Sequence, residues 1–243
     1  MKKPDEIKKI VKDKYAEIAA SSGCGCGCSQ KVAKEIGYSE EEISNVEGNL
    51  GLGCGNPVAV SKIKEGDTVL DLGCGAGFDC FLAARKVGPA GKVIGIDMTK
   101  EMIERAKLNA EKLGTKNVEF ILSDIEKMPI SDSSIDIIIT NCVVNLTPDK
   151  SETFREAHRV LKAGGRIYLS DIVLLAELSK EQRNDNDLLS GCVAGALLKD
   201  DYLAKLKSAG FEINILKEDK EISKKQYQGI ALESLMLEAV KRR

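Results

Sequence analysis

Eight cysteines in a chain of 243 residues with a single histidine are the first feature with chemical consequences. Thiols are soft donors and nucleophiles, so they select soft, thiophilic partners over hard ions. Cys24, Cys26 and Cys28 alternate with glycines in Ser21-Ser22-Gly23-Cys24-Gly25-Cys26-Gly27-Cys28, a stretch too glycine-rich for helix or strand. Cys54 lies in a second glycine-rich loop, Gly51-Leu52-Gly53-Cys54-Gly55-Asn56-Pro57, where core packing explains a thiol poorly. Cys142 follows an apolar run in Asn141-Cys142-Val143-Val144-Asn145-Leu146, and Cys192 sits in Ser190-Gly191-Cys192-Val193-Ala194-Gly195-Ala196-Leu197. Taken singly, each of Cys54, Cys142 and Cys192 is most simply an inert buried thiol; taken together they are three sulfurs that a fold could converge on one soft acceptor. Cys74 and Cys80, in and just after a glycine turn, read as small buried residues. Zinc is the obvious competitor for a thiol cluster, but the paired Cys-x2-Cys spacing is missing. The one imidazole, in Glu156-Ala157-His158-Arg159-Val160-Leu161, reads as a structural helix residue. No structural metal is expected, and in a reducing compartment no disulfide framework either.

The second chemical feature is Thr68-Val69-Leu70-Asp71-Leu72-Gly73-Cys74-Gly75-Ala76-Gly77-Phe78, a buried strand entering a glycine turn and then a helix. Glycines there let the backbone turn tightly and approach a ligand closely. Some twenty residues on, Val93-Ile94-Gly95-Ile96-Asp97 ends the next strand in a carboxylate, placed to bind the ribose hydroxyls of a nucleoside. A glycine triplet alone is a weak signal, since dinucleotide sites use a similar turn. The spacing here is G-x-G-x-G rather than G-x-G-x-x-G, and Asp71 precedes it. That loop has no pyrophosphate to hold, and its carboxylate can order a cationic amino acid end, which favours S-adenosylmethionine. No histidine is plausible as a base; O- or N-methylation often benefits from one though many methyltransferases manage without, and an acceptor with a lone pair of its own needs none.

These groups need a scaffold, and the pattern from residue 66 onward supplies one. Strands are predicted over 68–72, 92–96, 117–122, 135–140 and 166–172, alternating with helices over 78–87, 100–113 and 150–161. Runs as continuously apolar as 135–139 suit a parallel sheet covered on both faces. The fold class is therefore α/β: a doubly wound, mainly parallel Rossmann-like sheet. Its strand ends carry Asp71, Asp97 and Cys142 to one edge, where open α/β sheets bind ligands. Upstream, residues 4–20 read as an amphipathic helix with Ile7, Ile10, Val11, Tyr15 and Ile18 on one stripe. Ser39 and Glu42 form a capping box before a short helix. Downstream, a helix over 200–209 stops at Gly210, a strand follows over 211–216, and residues 230–240 read as a closing strand. Three regions follow: a helical and Cys-rich segment over 1–50, the cofactor-binding domain over 51–173, and a substrate-binding region over 174–243 that completes the sheet.

Composition narrows the partners. Aromatics make up 4% of the chain, tryptophan is absent and the net charge is −2 with both signs interspersed, so neither stacking platforms nor a basic footprint for nucleic acid or an anionic membrane is expected. No apolar run is long enough to span a bilayer, and no apolar leader core follows Met1-Lys2-Lys3-Pro4, so the expected address is the cytoplasm.

Together these segments resemble the arsenite S-adenosylmethionine methyltransferases, from about Tyr15 to the end of the sequence. The segments around Cys142 and Cys192 are more diagnostic than the glycine loop, which all class I methyltransferases share. The resemblance implies that Cys54, Cys142 and Cys192 bind As(III), and that one of Cys24, Cys26 and Cys28 serves redox chemistry or substrate delivery. For S-adenosylmethionine it implies Asp71, Gly73, Gly75, Asp97, Met98, Asp124 and Asn141, with Cys74, Gly77 and Ile125 beside them and Tyr15 covering the ligand. The implied partners are arsenite or arsenic–thiol conjugates and a small thiol or thioredoxin-type reductant. The sequence departs from the family in one place: relatives carry adjacent or singly spaced N-terminal cysteines, not a glycine-spaced triple. Two other readings stay open on the residues alone. One is a small-molecule C-, O- or S-methyltransferase with structural cysteines; the other is a soft-metal sensor that uses S-adenosylmethionine only as a ligand.

Overall fold

The computed structural model describes residues 2–20, 28–44, 46–227 and 229–242. Consecutive residues of its central strands face opposite cores, which is why those strands read as unbroken apolar runs. In β1 (Thr68–Leu72) Val69 packs into one cluster while Leu70 and Leu72 pack into the other. In β2 (Lys92–Asp97) Val93 opposes Ile94 and Ile96, and in β4 (Ile135–Asn141) Ile137 and Ile139 oppose Ile138. With β3 (Val118–Leu122) and β5 (Leu161–Leu174) these strands pair in parallel, and β7 (Leu232–Lys241) and β6 (Phe211–Asp219) finish a seven-stranded sheet in the order β3-β2-β1-β4-β5-β7-β6. This is the doubly wound, mainly parallel architecture that the βα alternation predicts.

Helices cover both faces. Chain order runs α1 (Pro4–Ala20), α2 (Cys28–Glu35), α3 (Glu40–Ser44), α4 (Pro57–Val60), α5 (Phe78–Val87), α6 (Lys100–Leu113), α7 (Lys150–Val160), α8 (Lys180–Asn184), α9 (Asn186–Ser190), α10 (Lys199–Ser208) and α11 (Glu221–Gln226). The α5 side chains Phe81, Ala83 and Val87 meet Ile103 and Ala106 of α6 over one face, while Phe154 and Ala157 of α7 meet Tyr202 and Leu206 of α10 over the other. Before α3, the backbone amide of Ser39 donates to Glu42 Oε2 at 2.8 Å and that of Glu42 to Ser39 Oγ at 3.1 Å, the reciprocal capping box read from the sequence. Among the described residues no helix is long and apolar enough to cross a membrane.

One residue changes element type against expectation. Leu161, read as the end of a helix, is extended (φ −69°, ψ 138°) and pairs with Ile135, so β5 begins there, and the irregularity between the Ile135 and Ile137 pairings absorbs the intervening residues. The closing strand read over 230–240 is present as β7, which runs antiparallel to both β5 and β6 and sits between them. Its Glu238 lies against Tyr168, Arg166 and Lys62, whose donors approach at 2.6, 2.6 and 3.1 Å. Burial alone would raise this carboxyl's pKa, but the three donors outweigh it and hold the group at about 2. A depressed carboxyl stabilises the fold above its ordinary value near 4.5 and loses that contribution as pH falls towards 2. Glu238→Gln is therefore expected to lower Tm at pH 7, with the gap from wild type narrowing through that window in thermal melts.

Candidate active site

The strand order reverses between β2 and β4, the neighbours of β1, and at this switch point the strand ends open into a cavity of about 260 Å³. Its floor is the turn after β1. Gly73 has φ +70°, and a Cβ on it would lie 2.5 Å from both methyls of Val143, so the turn and the approach both require glycine. Gly73, Cys74 and Gly75 line the cavity together with Asp71, Asp97 and Met98. Asp124 and Ile125 line its far wall, Asn141 and Cys142 another, and Tyr15 of α1 a third. Gly77 stands outside this lining: with φ +92° it caps α5, and its Cα faces the rings of Phe81 and Phe120, so its role is to start the helix.

Three carboxylates give the cavity its charge, Asp71 and Asp97 buried and Asp79 half-buried. Asp97 accepts from the Gly75 amide at 3.0 Å and the Thr99 amide at 2.8 Å, which ties the glycine loop to the end of β2. Asp71 accepts the Cys80 thiol at 3.2 Å, and Asp79 accepts Tyr38 Oη at 2.6 Å. Burial raises the pKa of all three, that of Asp79 to about 6, and no cationic group is among the neighbours that perturb them. A cluster of three acids with no basic partner of its own suits a cationic ligand. S-adenosylmethionine, with its sulfonium and ammonium charges, fits that demand, and the glycine turn leaves room for its backbone approach. Asp97→Ala is expected to weaken that ligand by about 1.5–3 kcal/mol, roughly a 10- to 150-fold rise in Kd by calorimetry. An unchanged Kd in a folded variant would remove Asp97 from the binding site.

Lys8 of α1 pairs with Asp124 at 3.4 Å and with Glu126, so α1 is pinned across the mouth of the cavity. Further along α1, Tyr15 Oη donates to the Ser190 carbonyl at 3.3 Å. Its phenol pKa is raised first by burial and then by Cys192, Cys142 and Asp97, which places the ring between the acids and the thiols.

The thiols gather on the adjoining side. Cys54, Cys142 and Cys192 are all buried in one apolar cluster with Val11, Ile172 and Val193. Cys142 and Cys192 are two of only three non-glycine residues with positive φ among the described residues, at +60° and +66°. Left-handed backbone at a non-glycine residue costs roughly 1–3 kcal/mol and persists where surrounding structure imposes it. Here the Cys142 amide donates to Ser170 O at 2.8 Å and Cys192 Sγ donates to Cys142 O at 2.7 Å. The Cys142 thiol interacts with those of Cys192 and Cys54, and these contacts, with burial, raise its pKa well above the ordinary value. Cys54 is turned partly away: its Sγ lies 3.5 Å from Ser170 Oγ and it lines a small second cavity with Ile36 and Met236. Among the described residues no group of three or more His, Cys, Asp or Glu is spaced to hold a metal ion as it stands.

Asn141 joins the acid and thiol halves. Its Oδ1 accepts the Cys54 amide at 3.0 Å, while its Nδ2 donates to Gly55 O at 2.7 Å and to Tyr38 Oη at 3.0 Å, with Asp79 Oδ2 at 3.4 Å. A Cβ on Gly53, at φ +111°, would lie 2.8 Å from the Asn141 amide, so the loop hugs this side chain only as glycine. The family resemblance implies a cofactor contact at Asn141. The structure places it on the cavity wall but commits its polar atoms to the Cys54 loop.

Sequence reasoning missed Tyr38, Asp79 and Tyr227. Asp79 follows the glycine triplet by two residues, a signal available in principle. Tyr227 belongs to no motif; it follows α11, lines the cavity and has its pKa raised by burial and by Cys142, Cys54 and Cys192. Lys150 and Asp171 were missed too. Behind Cys192, burial lowers Lys150 to about 8 and raises Asp171 to about 7, the latter held by Tyr202 Oη at 3.0 Å and Asn145 Nδ2 at 2.8 Å. His158 lies outside the cavity, its ring against Phe211. Cys24 and Cys26 lie outside the described residues, and Cys28 opens α2.

An acid-lined cavity over a glycine turn, at the switch point of a sheet that ends in an antiparallel strand pair, defines a class I S-adenosylmethionine-dependent methyltransferase. Residues 63–210 match the methyltransferase domain family. The chain is 45% identical over 86% of its length to an arsenite methyltransferase of Halobacterium salinarum and 37% identical over 85% to that of Homo sapiens, spanning 58% of each. It thus covers a little over half the length of these relatives. The crystal structure of an arsenic(III) S-adenosylmethionine methyltransferase from Chlamydomonas reinhardtii superposes with a TM-score of 0.68 at 33% identity, covering 87% of this chain and 74% of that one. The chain belongs to the arsenite methyltransferase family.

Proposed function

We propose that this protein transfers the methyl group of S-adenosylmethionine to trivalent arsenic held by Cys54, Cys142 and Cys192. The observation that carries the reading is the gathering of three buried thiols beside a cavity lined by Asp71 and Asp97, neither of which has a cationic partner. When bound, S-adenosylmethionine supplies an electrophilic methyl group. Asp71 and Asp97 hold its cationic amino acid end and its ribose, and Tyr15 with α1 keeps water from the methyl. The raised pKa values of Cys142 and Cys192 leave their thiols protonated, which suits condensation: each S–H exchanges for one As–OH and releases a water. Cys54 must leave Ser170 to complete the set. Three sulfurs leave arsenic pyramidal with its lone pair free, and holding that lone pair in line with the methyl is the catalytic contribution of the fold.

Methyl transfer formally oxidises arsenic to the pentavalent state; two protein thiols return it to the trivalent state as they form a disulfide, and a small thiol or thioredoxin-type reductant then restores those cysteines. Cys24, Cys26 and Cys28 are assigned to that exchange, with Cys54 as partner, and the protein acts in the cytoplasm. Purified protein with labelled S-adenosylmethionine, arsenite and excess thiol is expected to yield methylated arsenic by speciation; label found only on carbon, oxygen or sulfur acceptors would overturn the reading. Replacing all three N-terminal cysteines by serine is expected to slow steady-state turnover while leaving a single turnover from reduced protein at the wild-type rate. Equal rates in both regimes would leave that segment without a catalytic role.

A further inference from the structure

Cys74 and Cys80 have no part in the chemistry above, yet they are neighbours. Cys74 lies in the glycine turn after β1 and Cys80 in the first turn of α5, and β2 passes beside both at Gly95. A Cβ on Gly95 would lie 2.8 Å from Cys74 Sγ and 2.9 Å from Cys80 Sγ, so the strand carries no side chain where the two sulfurs sit. The thiols interact directly with each other. Cys80 also donates to Asp71 on the cavity floor, and Cys74 itself lines the cavity. Burial raises both thiols, Cys74 to about 11, so they remain protonated and slow towards alkylating agents. Trivalent arsenicals need no preformed thiolate, because they condense with S–H groups and release water.

We propose that Cys74 and Cys80 form a second, inhibitory dithiol site for trivalent arsenicals, reached through the cofactor cavity when it is empty. Arsenite would exchange two hydroxyls for the two sulfurs and release two waters; a monosubstituted arsenic oxide would form two As–S bonds and release one water. Arsenic stays trivalent throughout, so no oxidant or reductant is involved. The adduct fixes Cys74 between Gly73 and Gly75 and fills the floor on which the cofactor rests. High arsenical thus competes with S-adenosylmethionine, and bound S-adenosylmethionine shields the pair. The inference rests on the methyltransferase reading only for the identity of the cavity's ligand.

Phenylarsine oxide is the suitable probe, because its arsenic takes two thiols and no third. The full chain carrying Cys142→Ser and Cys192→Ser removes competition from the acceptor thiols. In that background excess probe is expected to raise the calorimetric Kd for S-adenosylmethionine by about tenfold or more. Adding Cys80→Ser keeps a donor for Asp71 but removes the soft ligand, and the probe should then shift Kd less than about twofold. Preloading with S-adenosylmethionine should lower uptake in the first protein by one phenylarsenic group. Equal weakening with and without Cys80→Ser overturns the proposal. If the serine pair impairs folding, intact mass decides: Cys80→Ser in the wild-type background takes up one fewer phenylarsenic group, and equal uptake overturns the site. Arsenite methylation by wild type is scored separately, so its absence counts against the proposed function and leaves this result standing.

Discussion

Cys142→Ser or Cys192→Ser is expected to cut arsenite methylation by on the order of 100-fold or more while S-adenosylmethionine affinity changes little. Serine retains the size of the side chain and, at Cys192, a donor for the Cys142 carbonyl. What it removes is the soft ligand. The Cys142 thiol interacts with both of the others, so its loss removes the sulfur that the other two share. Cys192→Ser leaves Cys142 and Cys54, and Cys54 rests against Ser170. Neither pair can hold arsenic with its lone pair aimed at the methyl group. Rates under excess thiol, with Kd for the methyl donor measured on the same preparations, provide the check. A serine variant that methylates arsenite at the wild-type rate would favour structural cysteines and another acceptor.

Asn141→Ala is expected to be comparably severe although the side chain need never touch arsenic. One amide side chain receives the Cys54 amide and donates to Gly55 O and Tyr38 Oη, so alanine frees the loop that carries Cys54 and strands buried polar groups on both sides. Stability should fall by about 1–3 kcal/mol for the unsatisfied partners, and methylation by on the order of 100-fold as Cys54 loses its position. Asn141→Asp separates positioning from stability: it keeps the acceptor for the Cys54 amide but sets a second acid beside Asp79. Its activity is expected to recover as pH falls, with the midpoint above the native Asp79 value of about 6, because the variant removes a donor that lowers Asp79 and adds a like charge that raises it further. A flat pH profile for this variant, or wild-type activity in Asn141→Ala, would show that the clamp does not position Cys54.

The chemistry of the cofactor half was legible because it is local. A strand, a glycine turn and a helix are contiguous between Thr68 and Val87, and Asp97 ends the very next strand, so their order along the chain is their order in space. The boundaries of α5 and α6 could be read for the same reason, since apolar spacing and the terminal glycines act over a few residues. The cysteines at 54, 142 and 192 could be named by residue type and by resemblance, and Cys142 could be placed at the end of a strand.

Other features were settled only when distant segments met. Asn141 reads as a cofactor residue from the sequence, and only the fold packs the loop over 51–55 against it, a contact between positions 86 and 87 residues apart. Tyr227 reaches the cavity after β6 and before β7, on a segment with no motif of its own. The left-handed backbone at Cys142 and Cys192 has no signature in composition, because it is imposed by the Ser170 carbonyl on one and accompanied by the Cys142 carbonyl at the other. Cys74 and Cys80 look like unrelated small core residues until β2 brings Gly95 against both sulfurs. Residue types and short-range periodicity determined the chemistry available and the strands that carry it. Which sulfurs meet, and which amide holds them, depended on long-range pairing, because a side chain's neighbours across a sheet are chosen by topology rather than by adjacency along the chain.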